Sequence, residues 1–111
     1  MPPTLPDGIV AFVKSSCPTC QLVAPVLADL QADGGVTVVS QDDPTFPPGV
    51  TVVDDRLLEL SWHADLDTVP TLVRITGGTE VARTVGWSRD GWQTLSGRRD
   101  LGSTLPPQQP G

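Results

Sequence analysis

The chain has no tyrosine, one histidine and two cysteines among its 111 residues. Few side chains are therefore available as a general base near neutral pH. Two cysteines and one histidine also fall short of the four ligands of a structural zinc site, so no metal is expected. Basic residues are scarce too: 7 Lys and Arg face 13 Asp and Glu, a net charge of −6. Nucleic acid and anionic membranes reward clustered cations, so neither is expected as a partner. Apart from Asp42-Asp43 and Asp54-Asp55 the acids are scattered, which reads as a solvated surface. No apolar run reaches the roughly 18 residues that a membrane span requires. The opening MPPTLPDG lacks the basic-then-apolar order of a signal peptide. If Met1 is the native start, the expected location is cytoplasmic.

What is present is an apolar fraction of 38% in a chain long enough for one domain with its own core. Twelve prolines give the first map of it. Nine fall in three clusters: Pro2, Pro3 and Pro6; Pro44, Pro47 and Pro48; Pro106, Pro107 and Pro110. They mark a leader over residues 1–7, a loop insertion over 43–53, and a Pro-, Gly- and Gln-rich tail or linker over 98–111. The tail lacks apolar periodicity and is expected to be dispensable for folding. Only Pro18, Pro25 and Pro70 stand inside otherwise regular sequence.

Between leader and tail, "GIVAFV" (8–13) is a short β-branched apolar run, the pattern of a buried strand. From Cys17 onward, Leu22, Val26 and Leu30 recur every four residues, with Val23 and Leu27 beside them. That is one face of a helix, ended by Gly34-Gly35. "VTVVS" (36–40) is a second buried strand, and the stretch after it reads mostly as loop, with Val50 to Val53 able to pair briefly. "DRLLELSWHADL" (55–66) reads as a helix with Trp62 packed on the sheet and His63 in a supporting role. "TLVRI" (71–75) and "EVARTV" (80–85) flank Thr76-Gly77-Gly78-Thr79 as a hairpin. "SRDGWQTLSG" (88–97) reads as a short helix capped by Ser88, although Gly91 lies inside it. The order is β-α-β-α-β-β-α, an α/β chain. A right-handed crossover makes the first two strands parallel, and the last two form an antiparallel edge. The expected result is a mixed four-stranded sheet with helices on both faces.

The chemistry concentrates in "VKSSCPTCQLVAP" (13–25), which holds both cysteines. The thiolate is the nucleophilic form of cysteine, and helix N-termini and Cys-x-x-Cys motifs favour it. Cys17 stands at the expected helix start and is the expected nucleophile. Pro18 follows at the first helical position, where a missing N–H costs nothing. Cys20, one turn on, is placed to attack a mixed disulfide at Cys17 and release the partner. A purely structural disulfide across two residues would staple almost nothing, because stabilisation grows with loop length. A Cys-x-x-Cys beside a βαβ pattern is itself a sign of redox chemistry.

"CPTCQLVAPVLADLQ" resembles the active-site helix of thioredoxins, with Pro25 as that family's helix-kinking proline. "TVPTLVRITGGTEVARTVGW" resembles the second half of the same fold: Val69-Pro70-Thr71 matches the cis-proline loop, followed by the hairpin and Gly86. The resemblance covers roughly residues 8–97. It implies a thioredoxin-like fold with Cys17 and Cys20 as catalytic residues and a redox-active Cys17–Cys20 disulfide instead of a separate cofactor. It also implies that Pro18, Thr19, Val69 and Pro70 meet the substrate. The sequence departs from the family at three places in or beside the site, with Ser16 where thioredoxins carry Trp, Ala11 where they carry a buried Asp, and Pro18-Thr19 where they carry Gly-Pro. Lys14 and Thr68-Val69-Pro70 are similar to the residues with which glutaredoxins hold glutathione.

The leading expectation is a monomeric thiol–disulfide oxidoreductase acting on a disulfide-bearing protein and recharged by a reductase. Two alternatives stand beside it. One is a redox-sensing or partner-docking module of a larger protein, with the tail as linker. The other is a glutaredoxin-like enzyme that uses a low-molecular-weight thiol.

Overall fold

The computed structural model describes residues 5–111, and residues 1–4 of the leader lie outside the described residues. The central strand β1 (Gly8–Val13) runs parallel to β2 (Thr37–Ser40) on one side. On the other side it runs antiparallel to β4 (Thr71–Thr76), which pairs with β5 (Thr79–Val85) across the Gly77-Gly78 turn. The period-2 alternation of β1 divides the core. Ile9, Ala11 and Val13 face one cluster, Val10 and Phe12 the other. Helix α1 (Pro18–Ala32) covers the first face through Val23, Val26, Leu27 and Leu30, joined by Trp92 and Leu95 of α3 (Arg89–Ser96). Helix α2 (Glu59–His63) lies on the second face with Leu60, Ala64 and Leu66 against the sheet. Helices therefore cover both faces, as expected.

The cap signals read correctly at α1 and α3. Cys17 caps α1 and Pro18 occupies its first turn. Ser88 caps α3 through the Gly91 N–H, and Gly97 ends it in the left-handed region. Gly91 is explained by proximity: a Cβ there would lie 2.6 Å from Thr84 Oγ1 of β5. No described helix is long and apolar enough to cross a membrane.

Four expectations need correction. Among the described residues the sheet has five strands, with β3 (Val52–Asp54) as the additional one, in the order β3-β2-β1-β4-β5. This edge strand falls at the end of the expected loop insertion and pairs parallel with β2. It satisfies the outer main-chain groups of β2 and overlaps Val50 to Val53, the stretch read as able to pair briefly, although its side chains stay largely exposed. Helix α2 spans five residues instead of twelve, because Leu58 takes a left-handed backbone (φ 61°) just before it. Trp62 does not pack on the sheet but is 80% exposed, and His63 is exposed beside it.

The fourth correction concerns the segment 98–111, which packs on the domain instead of trailing from it. Leu101 is 2% exposed and joins Trp87, Trp92 and Leu95 in the core. Trp87 and Trp92 meet edge to face at 5.2 Å. The Trp87 indole N–H donates to the Pro106 carbonyl at 2.7 Å. Farther on, β7 (Gln108–Gln109) pairs antiparallel with β6 (Trp87–Ser88). Two leucines, Leu101 and Leu105, and a row of backbone carbonyls hold the segment, and neither produces a periodic signal.

What starts α2 is also a buried carboxylate. Asp55 accepts hydrogen bonds from the N–H groups of Leu60 and Ser61 and from the Ser61 hydroxyl, the last at 2.6 Å. Replacing Asp55 with alanine should cost about 1–3 kcal/mol, because buried donors lose their acceptor. Chemical denaturation of the variant measures it, and a change under about 0.5 kcal/mol, the range of an ordinary surface substitution, would contradict this role.

Candidate active site

β1 delivers the chain to a turn of Lys14, Ser15 and Ser16, and α1 begins immediately after. Asp42, just past β2, holds that turn. Its carboxylate accepts from the Ser15 N–H at 2.8 Å and the Ser15 hydroxyl at 2.7 Å. Partial burial would raise the Asp42 pKa, but the donors of Ser15 and Ser16 and the charge of Lys14 outweigh it and hold the carboxyl below its ordinary range. The Gln21 side chain closes the turn from α1 by donating to the Ser15 carbonyl at 2.8 Å.

On this support Cys17 takes the capping position, with extended backbone (φ −88°, ψ 121°), and its sulfur accepts the Cys20 N–H at 3.4 Å. That N–H and the dipole of the helix start favour negative charge on the sulfur. Across from it, the Val69–Pro70 peptide is cis. The Val69 carbonyl faces Cys17 and accepts from its Sγ at 3.4 Å. Two bonds hold this loop: the Thr71 hydroxyl to the Thr68 carbonyl at 2.6 Å, and the Gly86 N–H to the Pro70 carbonyl at 2.7 Å.

The two thiols are free and differ in setting. Cys17 is half-buried, whereas Cys20 is completely enclosed, and the two residues approach within 3.3 Å. The Cys20 sulfur accepts the Lys14 N–H at 3.4 Å. Burial pushes the Cys20 thiol far up. The Lys14 N–H opposes that, and Cys17 and Asp42 add to it. No acid stands behind it in β1, where Ala11 is fully buried in the core.

A pH dependence follows. Above about pH 8.5 an unfolded Cys20 ionises, while the folded one keeps its proton. The folded pKa is the higher one, so this stabilisation is complete below pH 8.5 and declines as pH rises. The reduced protein should lose up to about 1.4 kcal/mol per pH unit above that point from this group alone. Urea titrations of reduced wild type and Cys20→Ala between pH 7.5 and 10 check it. Parallel slopes would remove Cys20 as the cause.

The other expected site residues separate into two sets. Lys14 is exposed and lines an open cleft of about 360 Å³ with Trp62, Asp67, Thr68 and Val69. Pro18 is exposed, but Thr19 is 3% exposed. The Thr19 hydroxyl donates to the Pro110 carbonyl at 2.6 Å and accepts from Gln109 Nε2 at 2.8 Å. Sequence reasoning missed Ser15, Asp42 and Gln109–Gly111. Asp42 had a signal, an acid two residues beyond a strand end, but its partner lies 27 positions away.

A β-α-β-β-α-β-β-β-α-β chain on this mixed sheet, with Cys-x-x-Cys opening α1 against a cis-proline loop, has a thioredoxin-like fold. No family model and no curated protein matches the sequence. Among solved structures it is similar to thioredoxin of Malassezia sympodialis (Mala s 13). The TM-score is 0.56 and the identity 19%, over 79% of this chain and 73% of that one. At that identity the likeness is one of fold.

Proposed function

We propose that the protein is a thiol–disulfide oxidoreductase exchanging electrons through Cys17-Pro18-Thr19-Cys20. One observation carries the reading: a half-buried cysteine at a helix start, its sulfur facing a backbone carbonyl, with a second, buried thiol within reach behind it. The Cys17 thiolate attacks a substrate disulfide, forming a Cys17–substrate bond and expelling one substrate thiolate, which takes a proton from solvent. Cys20 then attacks the Cys17 sulfur, its proton passing to the departing substrate sulfur. The Cys17–Cys20 disulfide forms and the second substrate thiol leaves, so two electrons have passed to the substrate. The Val69 carbonyl and Pro70 orient the incoming chain. A reductase in a cytosolic setting would restore the dithiol, and the same steps in reverse would oxidise a dithiol partner.

The test is turnover of a protein disulfide such as insulin with excess small dithiol. Many disulfides reduced per protein molecule support the reading. One equivalent and no more would mark a sensor or docking module instead.

The cleft beside Cys17 favours a second reading, in which a low-molecular-weight thiol is the reductant. Lys14 and Asp67 supply one charge of each sign, and Thr68 and Val69 line the same cleft, a setting suited to a small peptide that carries both signs. Rates with glutathione and with a neutral thiol, in wild type and Lys14→Gln, decide it: only a glutathione-specific loss supports this reading.

A further inference from the structure

Residues 108–111 do more than complete a two-stranded ribbon. After β7 the chain crosses the Cys-x-x-Cys motif and meets three parts of the groove beside it. The Gln109 amide and the Pro110 carbonyl take both hydrogen-bonding capacities of Thr19. Gly86 lies so close that a Cβ on it would be 3.0 Å from the Gln109 carbonyl and 3.2 Å from the Gly111 nitrogen. Gly111 itself lies against the loop before Pro70: a Cβ there would stand 2.2 Å from the Val69 oxygen and 2.7 Å from Thr68 Cγ2. That oxygen is the one that accepts from Cys17 Sγ. Thr19 is consequently enclosed although it directly follows the exposed Pro18.

The segment is lightly held. Its ladder is two residues long, and Pro110 and Gly111 remain exposed. Such a segment opens locally at far lower cost than the domain unfolds.

We propose that residues 108–111 are a strap seated in the groove between Thr19, Val69 and Gly86, which must lift before a polypeptide disulfide reaches Cys17. The functional part rests on the exchange reading of Cys17. Small reagents reach the half-exposed sulfur past the strap, whereas a substrate chain needs the Val69 carbonyl that Gly111 covers.

The experiment compares the full chain with a chain ending at Pro107, each carrying Cys20→Ser so that Cys17 is the sole thiol. Ending at Pro107 keeps the carbonyls that hold Trp87 and Arg89. Cys17 is alkylated with N-ethylmaleimide and with a maleimide on a large polyethylene glycol. Strap removal should raise the ratio of the large-reagent to the small-reagent rate about tenfold. Gly111→Val in the full-length chain expels the strap by steric conflict with Val69 and should do the same. It decides the matter should the shortened chain fail to fold. An unchanged ratio in a folded variant overturns the strap. With both cysteines restored, the shortened chain should also reduce insulin faster than the full chain. A raised ratio with no insulin reduction by either chain would leave the strap standing and refute the exchange reading.

Discussion

Cys17→Ser is expected to abolish disulfide exchange to background, while Cys20→Ser should attack once and stop as a trapped mixed disulfide. The asymmetry follows from the positions of the two sulfurs. Cys17 caps α1, is half-exposed and faces the Val69 carbonyl, where a substrate chain would lie. Cys20 is enclosed, and burial keeps it protonated. It can be reached from Cys17 but not from solvent. A serine at 17 leaves no exposed thiolate to begin the exchange. A serine at 20 keeps an acceptor for the Lys14 N–H, so the fold should survive, but nothing remains to expel the partner from Cys17. Mass spectrometry after incubation with a protein disulfide should show one adduct per molecule for Cys20→Ser and none for Cys17→Ser. Equal loss in both variants without a trapped adduct would indicate a structural or metal-binding pair, in which each thiol matters equally.

The elements of this site were legible because their signals are local. A strand, a Cys-Pro-x-Cys start and a helical apolar period lie within twenty-five residues, and each has a conformational cause that needs no tertiary partner. The hairpin around Gly77-Gly78 and the caps at Ser88 and Gly97 were equally local. What escaped was set by contacts remote in sequence. β3 is a strand because β2 offers it an edge. α2 begins at Glu59 because Asp55 folds under it and Leu58 turns left-handed, although the apolar pattern starts earlier. Thr19, expected to meet substrate, meets residues 90 and 91 positions away instead. Each of these depends on where a distant segment lies, which periodicity and propensity do not encode.

The segment 98–111 was misread for the same reason, and its removal should have the larger effect on stability. Truncation after Gly97 deletes Leu101, 2% exposed against Trp87, Trp92 and Leu95. Losing a buried leucine side chain alone costs about 2–5 kcal/mol. It also strands the Trp87 indole N–H that Pro106 accepts, and the Arg89 guanidinium that donates to the Gly102 and Leu105 carbonyls. A buried donor left without a partner costs about 1–3 kcal/mol more. For a domain of about this size each kcal/mol lowers the melting temperature by roughly 4–8 °C, so the drop should exceed about 10 °C. Total stabilities of about 5–15 kcal/mol leave little reserve against such a loss. Truncation after Pro107 keeps Leu101 and all of these carbonyls, and should cost only a few degrees. Thermal denaturation of the two truncations and of Leu101→Ala separates the contributions. The long truncation and Leu101→Ala should both melt early and the short truncation near wild type. Near-equal melting of all four proteins would mean that the sheet and its three helices are self-sufficient without this segment.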